Sequence, residues 1–267
     1  MSLKKRRLLD RRSFLIKGAL LLGGYLSGLS GFTKAFAFEK QTIPCSLKPS
    51  IALIIDDIGL STSQASQFFT LKIPLTFAVL PRLRYSKILA KEINDCGQEV
   101  MLHQPMEPDD PRLDPGPGAL YTGDDPDKIN KIIEENISGL PFATGINNHM
   151  GSRFTGSREK MTETLRVIKD SGMFFVDSRT SQHSKAYRIA RTLNMSAAYR
   201  HIFLDNILSE PAILLQLRKL KQCALHYGTA VGIGHPFPDT ASAIKLFIEE
   251  MKYSRVSFVH VSKVLNN

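Results

Sequence analysis

Two adjacent carboxylates, Asp56 and Asp57, close the apolar run Ile51-Ala52-Leu53-Ile54-Ile55, and Gly59 stands two positions further on. Neighbouring like charges repel unless a cation or a shared proton relieves them. Other polar residues also come directly after apolar runs: His103, the Asn147-Asn148-His149 string, Asp177 and His235. A set of histidines and aspartates of this kind suits a divalent transition metal such as zinc, with one position left open for water. A metal so held polarises a carbonyl and lowers the pKa of water, which makes hydrolysis feasible near neutrality. Adjacent residues diverge, so one member of the Asp56-Asp57 pair can face a metal while the other takes a proton from the nucleophile.

These residues lie far apart in the chain, so the elements before them must bring them together. The run at 51–55 is too short for an independent helix and is flanked by Pro49 and Gly59, which makes it a buried strand. After it, helical and strand patterns alternate. A helix follows Ser61, a strand covers 74–80, and a helix with Ile88, Leu89 and Ile93 at helical spacing ends at Gly97. A strand at 99–102 delivers His103. The segment 104–123 breaks the rhythm with five prolines and reads as a lid or groove wall.

Asp125-Pro126 opens the next helix, and a strand at 143–147 leads into His149. Ser157 caps a helix carrying Met161, Leu165 and Ile168, and a strand at 173–176 ends in Asp177. A single strand is expected over 198–204, ending at Asp205, followed by the longest helix at 209–227. A strand at 229–234 reaches His235, and a helix at 239–251 and a strand at 256–261 complete the chain. Successive parallel strands need helical crossovers. The pattern predicts one α/β domain over 51–267, a distorted (β/α) barrel of seven or eight mainly parallel strands, with an open doubly wound sheet as the other arrangement. In a barrel all strand C-termini face one mouth, which is where the candidate residues would meet.

At this point the sequence resembles a known family, the divergent polysaccharide deacetylases of the chitin-oligosaccharide deacetylase superfamily (carbohydrate esterase 4-like). The matching strings are I-I-D-D-I-G at 54–59, E-V-M-L-H-Q-P-M-E at 99–107, G-I-N-N-H-M-G-S at 145–152, F-F-V-D-S-R-T-S at 174–181, F-L-D-N at 203–206 and G-I-G-H-P at 232–236. The resemblance implies Asp56 as general base, Asp57 and His103 as ligands of a divalent metal, most often zinc, and His235 as general acid. Asp177, on the same rim, is grouped with the catalytic residues. The superfamily's second ligand histidine usually follows the first by about four residues, where this chain has Glu107. The third ligand is therefore Glu107 or His149, and His149 is preferred because an imidazole restores the usual set. The arginine that steers the base in the superfamily has no recognisable counterpart, and Arg153 and Arg179 are the available stand-ins. His183, His201, His226 and His260 are assigned no chemistry.

The implied activity is metal-dependent removal of acetyl groups from a cell-envelope or surface polysaccharide. The alternative is a glycan-binding or envelope-scaffold protein without turnover.

The first 37 residues read as an export signal. Arg11-Arg12 precede Ser13-Phe14-Leu15-Ile16-Lys17, an apolar run covers 18–32, and Ala35-Phe36-Ala37 offers a cleavage site. The arginine pair resembles the twin-arginine signal, with Asp10 where Ser or Thr is more usual. The expectation is recognition by the twin-arginine export machinery and a periplasmic location, with an uncleaved anchor as the other outcome, and 38–50 as a linker. The formal charge of the whole chain is +10, but residues 1–37 carry eight basic residues and one acid. The remainder has 27 basic and 24 acidic residues, too even a balance for a nucleic-acid surface. Cys45, Cys96 and Cys223 show no metal-binding spacing.

Overall fold

The computed structural model describes residues 48–265, so the export-signal reading and most of the linker lie outside the described residues. Nine strands and seven helices alternate within this part of the chain. The strands are β1 (Ser50–Ile58), β2 (Thr76–Val79), β3 (Glu99–Met106), β4 (Ala143–Met150), β5 (Phe174–Asp177), β6 (Ala197–Tyr199), β7 (Ile202–Phe203), β8 (Thr229–Gly234) and β9 (Ser257–Val259). The helices are α1 (Thr62–Phe69), α2 (Ser86–Asp95), α3 (Pro126–Gly139), α4 (Arg158–Asp170), α5 (Ala186–Thr192), α6 (Glu210–Tyr227) and α7 (Pro238–Met251). Every strand pair is parallel, in the order β6-β5-β4-β3-β2-β1-β8-β7. β9 lies beside the first three residues of β1, a slot that β2 leaves open by pairing only from Ile54 onward.

The sheet curls into a distorted (β/α) barrel. Its end strands β6 and β7 are consecutive in sequence and separated only by Arg200 and His201. The Arg200 N–H donates to the Asp177 carbonyl at 2.9 Å on the β5 side, and the His201 N–H to the Val231 carbonyl at 2.9 Å on the β8 side. What was expected as one strand over 198–204 is thus broken in the middle. Its first half pairs with β5 and its second with β8, because the chain must cross from one end of the sheet to the other.

Alternation along the strands sorts side chains into two cores. Ile51, Leu53 and Ile55 of β1 belong to the large layer packed against the helices, together with Leu89, Ile133, Leu165, Leu217 and Phe247. Ala52 and Ile54 belong to a smaller cluster inside the barrel, with Ala78, Met101, Phe174, Val176, Ala198, Val231 and Ile233. Val261 and Val264 join this inner cluster from the short helical turn after β9. A side chain at Gly145 would put its Cβ 2.3 Å from the Phe174 ring, so glycine is what allows Phe174 to fill the barrel there.

The helix ends follow their local chemistry. Asp125 accepts a hydrogen bond from the Lys128 N–H and Ser157 from the Lys160 N–H. Ser61 precedes α1 without making a side-chain cap, its hydroxyl meeting that of Ser63 instead. The proline-rich segment is fixed to the barrel. The buried Gln104 amide donates to the Gly118 carbonyl at 2.8 Å, and Asn136 of α3 donates to that same carbonyl and to Gln104. Cys96 and Cys223 are free thiols.

Candidate active site

The inward-facing positions of four strands change character in the same way. β1 runs Ala52, Ile54, Asp56; β3 runs Met101, His103; β4 runs Gly145, Asn147, His149; and β8 runs Val231, Ile233, followed by His235. Period-two alternation therefore carries each apolar stripe into a polar residue at the C-terminal mouth. His103 and His149 lie inside β3 and β4 rather than just beyond them, because both strands run on to Met106 and Met150.

Asp57 breaks the alternation. By parity it would face the helix layer, but the β1–β2 register shifts between Ile55 and Ile58, and Asp57 takes the left-handed conformation, φ 58°. A bulge of this kind re-aims a side chain, and here it turns the carboxylate into the mouth. Asp57 Oδ1 then lies 2.9 Å from His149 Nδ1 and 3.2 Å from His103 Nε2, and the two ring nitrogens are 3.1 Å apart.

These three residues form the one metal-capable cluster found among the described residues. The edges of the triangle are close to the ~3.3 Å that separates ligands on a tetrahedral ion with bonds of about 2.0–2.1 Å. Asp57 Oδ1 is buried, and although both imidazoles are within ion-pair distance, no hydrogen bond of sound geometry reaches it. A buried lone pair without a donor, facing two ring nitrogens that also face each other, is the donor set a divalent cation completes.

Asn147 sets the polarity of this cluster. Its Nδ2 donates to Asp56 Oδ1 at 2.8 Å, which leaves its Oδ1, 2.7 Å from His103 Nδ1, to accept from the imidazole. The neutral His103 ring therefore carries its proton on Nδ1, which leaves the Nε2 lone pair for a cation shared with Asp57 and His149. Neither expected arginine reaches Asp56. Arg153 lies 3.6 Å from Glu107, and the Arg179 guanidinium is stacked on Tyr199. Glu107 points into the proline-rich loop, accepting from the backbone and hydroxyl of Thr122, and is not in the triangle.

Asp56 is 3% exposed, and burial raises its carboxyl above the usual range against the attraction of His103 and His235. Burial also acts against the charge on Asp57, but the close imidazoles of His103 and His149 outweigh it and hold that carboxyl well below the usual range. For His103 the pull of Asp56 and Asp57 overcomes burial and raises the ring above its ordinary value. The two adjacent carboxylates are thus driven in opposite directions.

His235 faces the triangle, with Nε2 3.7 Å from Asp57 Oδ2. Its other nitrogen lies 3.0 Å from Asp205 Oδ1, while Asp205 Oδ2 accepts from the His235 backbone at 2.6 Å and from Thr240 at 2.9 Å. Burial opposes the imidazolium, but Asp205 and the Asp56-Asp57 pair prevail and push His235 up to about 9. Asp205 was not among the candidates. It follows an apolar strand in the same manner as the others, and that signal could have found it.

Asp177 differs. It ends β5 as expected, but it shares the outward parity of Phe175. Its carboxylate accepts from the Arg179 N–H at 2.8 Å, the Ser184 hydroxyl at 2.8 Å and the Tyr187 N–H at 3.1 Å. It shapes the loop after β5 and stays outside the catalytic constellation. Asp56, His103, His149 and His235 instead line a cleft of about 300 Å³, walled by Pro108 and Leu113 of the proline-rich segment and by Ser178, Thr180 and Phe203.

Residues 53–265 match the divergent polysaccharide deacetylase family. The chain belongs to that family. It is 29% identical over 223 residues to the uncharacterized protein YibQ of Escherichia coli K12, covering 82% of this chain and 68% of YibQ. Among solved structures it resembles the uncharacterized protein ATU2773 of Agrobacterium tumefaciens C58, with a TM-score of 0.78, 23% identity and coverage of 83% and 91% of the two chains. More distant likeness extends to the catalytic domain of a peptidoglycan N-acetylglucosamine deacetylase from Eubacterium rectale, at TM-score 0.51, 13% identity and 82% and 90% coverage. A mutant of BA3943, described as a CE4 family pseudoenzyme with restored enzymatic activity, is equally distant at TM-score 0.51, 16% identity and 82% and 68% coverage. At these identities the solved structures speak for the fold.

Proposed function

We propose that this protein is an exported, divalent-metal-dependent deacetylase acting on an acetylated polysaccharide or oligosaccharide of the cell envelope. The observation that carries this reading is the Asp57–His103–His149 triangle, whose two histidines line one cleft with the buried Asp56 and the Asp205-backed His235. A divalent cation, zinc by preference, held by Asp57, His103 and His149 would supply Lewis-acid polarisation of the acetyl carbonyl and of the attacking water.

The remaining steps belong to the chain. Asp56, fixed by Asn147, takes the proton of the water as its oxygen bonds to the carbonyl carbon. Its raised pKa gives it a stronger grip on that proton than an exposed carboxylate would have. His235, kept charged through neutrality by Asp205, donates a proton to the leaving nitrogen or oxygen as its bond to the acyl carbon breaks, so acetate and a free amine or alcohol depart. The N-terminal arginine pair and apolar run support export, and the envelope is where such a glycan would be met.

The test is acetate release from N-acetylated chito-oligosaccharides and peptidoglycan fragments by the zinc-loaded protein. Turnover that is abolished in Asp57→Ala together with metal binding is expected. Absence of turnover on all acetylated glycans, with zinc bound and the fold intact, would overturn the enzyme reading. Replacement of the steering arginine by Asn147 favours a second reading, a glycan binder without catalysis. Glycan affinity without acetate release would be its signature.

A further inference from the structure

Outside the cleft, on the other side of the loop after β5, lies a second and larger hollow of about 550 Å³. Loop residues alternate between the two: Ser178 and Thr180 face the catalytic cleft, while Arg179 and Ser181 face the hollow. Arg188 and Arg200 complete a group of three guanidiniums. The hollow exists because α4 packs on α5 and α6 on α7, while α5 and α6 make no comparable contact over the β6–β7 break.

Among the described residues, none of these three arginines has a carboxylate within salt-bridge distance. The nearest acid, Asp177, has its oxygens occupied by Arg179 N–H, Ser184 and Tyr187 N–H. Two of the three arginines are also held in place. Arg200 donates through Nε to the Ser178 carbonyl at 2.5 Å and through Nη2 to the Arg179 carbonyl at 2.6 Å. Arg179 is left-handed, φ 48°, a strained conformation for a residue with a long side chain, and its guanidinium lies 3.6 Å from the centre of the Tyr199 ring. Tyr187, Tyr199 and His201 continue as an aromatic row, with centroids 4.8 and 4.6 Å apart. Arg200 in turn lies over Phe203, which lines the catalytic cleft and packs on His235. Like charges gathered with no carboxylate in ion-pair contact, two of them fixed at the strained turn after β5 and the β6–β7 break, make a site for an anion.

We propose that Arg179, Arg188 and Arg200 form a subsite for an anionic substituent, carboxylate or phosphate, on the glycan whose neighbouring acetylated sugar occupies the cleft. This rests on the deacetylase reading for the second half of the statement only. The first half, selective binding of an anionic glycan, stands without turnover.

The experiment compares acetylated oligosaccharides matched in length but neutral, carboxylated (uronate or lactyl ether) or phosphorylated, using the zinc-loaded protein and the exposed-site variants Arg179→Gln and Arg188→Gln. Binding is read by calorimetry and turnover by acetate release. The expected result is a KM and Kd at least tenfold lower for a charged glycan than for the neutral one. That advantage should shrink in high salt and be lost in the double variant, while kcat and the KM for the neutral glycan stay unchanged. The carboxylated and phosphorylated arms show which anion is preferred. Charge-selective binding without acetate release would sink the deacetylase reading and leave the anion subsite standing. Turnover that is equal on neutral and charged glycans, equal loss on both in the variants, or binding of neither would overturn the subsite.

Discussion

The two ends of the barrel are built on the same strands, yet they are governed by different forces. At the floor, Ala52, Met101, Phe174, Val231 and Val261 fill the interior with apolar contacts that favour folding. At the mouth, one or two alternations further along, Asp56, His103, Asn147 and His149 occupy the equivalent positions, and burial works against the charged forms of Asp56 and His103. The floor makes the fold, and the mouth uses it. The difference teaches that inward parity and not residue class is the shared design rule, and that the polar end persists only because each group is matched to a partner.

Substitutions can separate the two ends, and the largest effect is expected at the mouth. Asp56→Asn should lower kcat by about 10²–10⁴-fold, the usual worth of a positioned base, while metal binding and thermal stability remain close to wild type. Steady-state acetate release combined with calorimetry would show it. A matching loss of stability would mean that the mouth is as structural as the floor.

Phe174→Ala is the converse. Removing a ring that packs against Gly145 should reduce stability by about 3–5 kcal/mol in urea unfolding, with kcat/KM of the folded protein unaltered.

Metal binding should connect the ends. At a hundredfold excess over Kd, zinc should stabilise the protein by about 2.7 kcal/mol, raising Tm by roughly 5–10 °C, and Asp57→Ala should abolish the shift. A chelator should reverse it.

A last effect concerns pH, and because it is lost gradually over more than two pH units it moves activity least at any one pH. The folded value of His235, about 9, exceeds its ordinary 6.5, so its charged form favours the native state. That contribution, up to about 3 kcal/mol in the metal-free protein, is fully present below pH 6.5 and is lost as pH rises through 9. Asp205→Asn should flatten this decline and move the alkaline limb of kcat to lower pH. An unchanged profile would remove Asp205 from its positioning role.

Much of this was legible in the sequence, for a physical reason: apolar runs of strand length ending in His or Asp announce both the strand and the end that carries chemistry. The parallel barrel, the cleft and its convergence of Asp56, His103, His149 and His235 follow from that rule. The rule fails where geometry departs from simple alternation. Asp57 reaches the triangle through a bulge and a left-handed φ that no residue type announces. Asp177 sits at a strand end on the wrong parity, which the uniformly apolar run Phe174-Phe175-Val176 before it does not reveal.

Asn147 holds the base through an uncharged amide, whereas charge complementarity points to an arginine such as Arg153 or Arg179. The role of Asp205 depends on contact with His235 across β7 and β8, thirty residues apart in sequence. The break between β6 and β7 arises from closing the ring, a property of the whole sheet and not of residues 198–204.

The pairing of β1 with β8 has a kinetic consequence. Ser50 meets Thr229 and Ile55 meets Gly234, joining strands from nearly opposite ends of the described chain. Contacts of such long sequence separation carry a large loop-closure entropy and form slowly. Asp56 rides on one of these strands and His235 follows the other, so base and acid come within reach only when this last zipper closes. During refolding, helical signal should therefore return before catalytic competence, and a barrel short of closure should have no fraction of the activity.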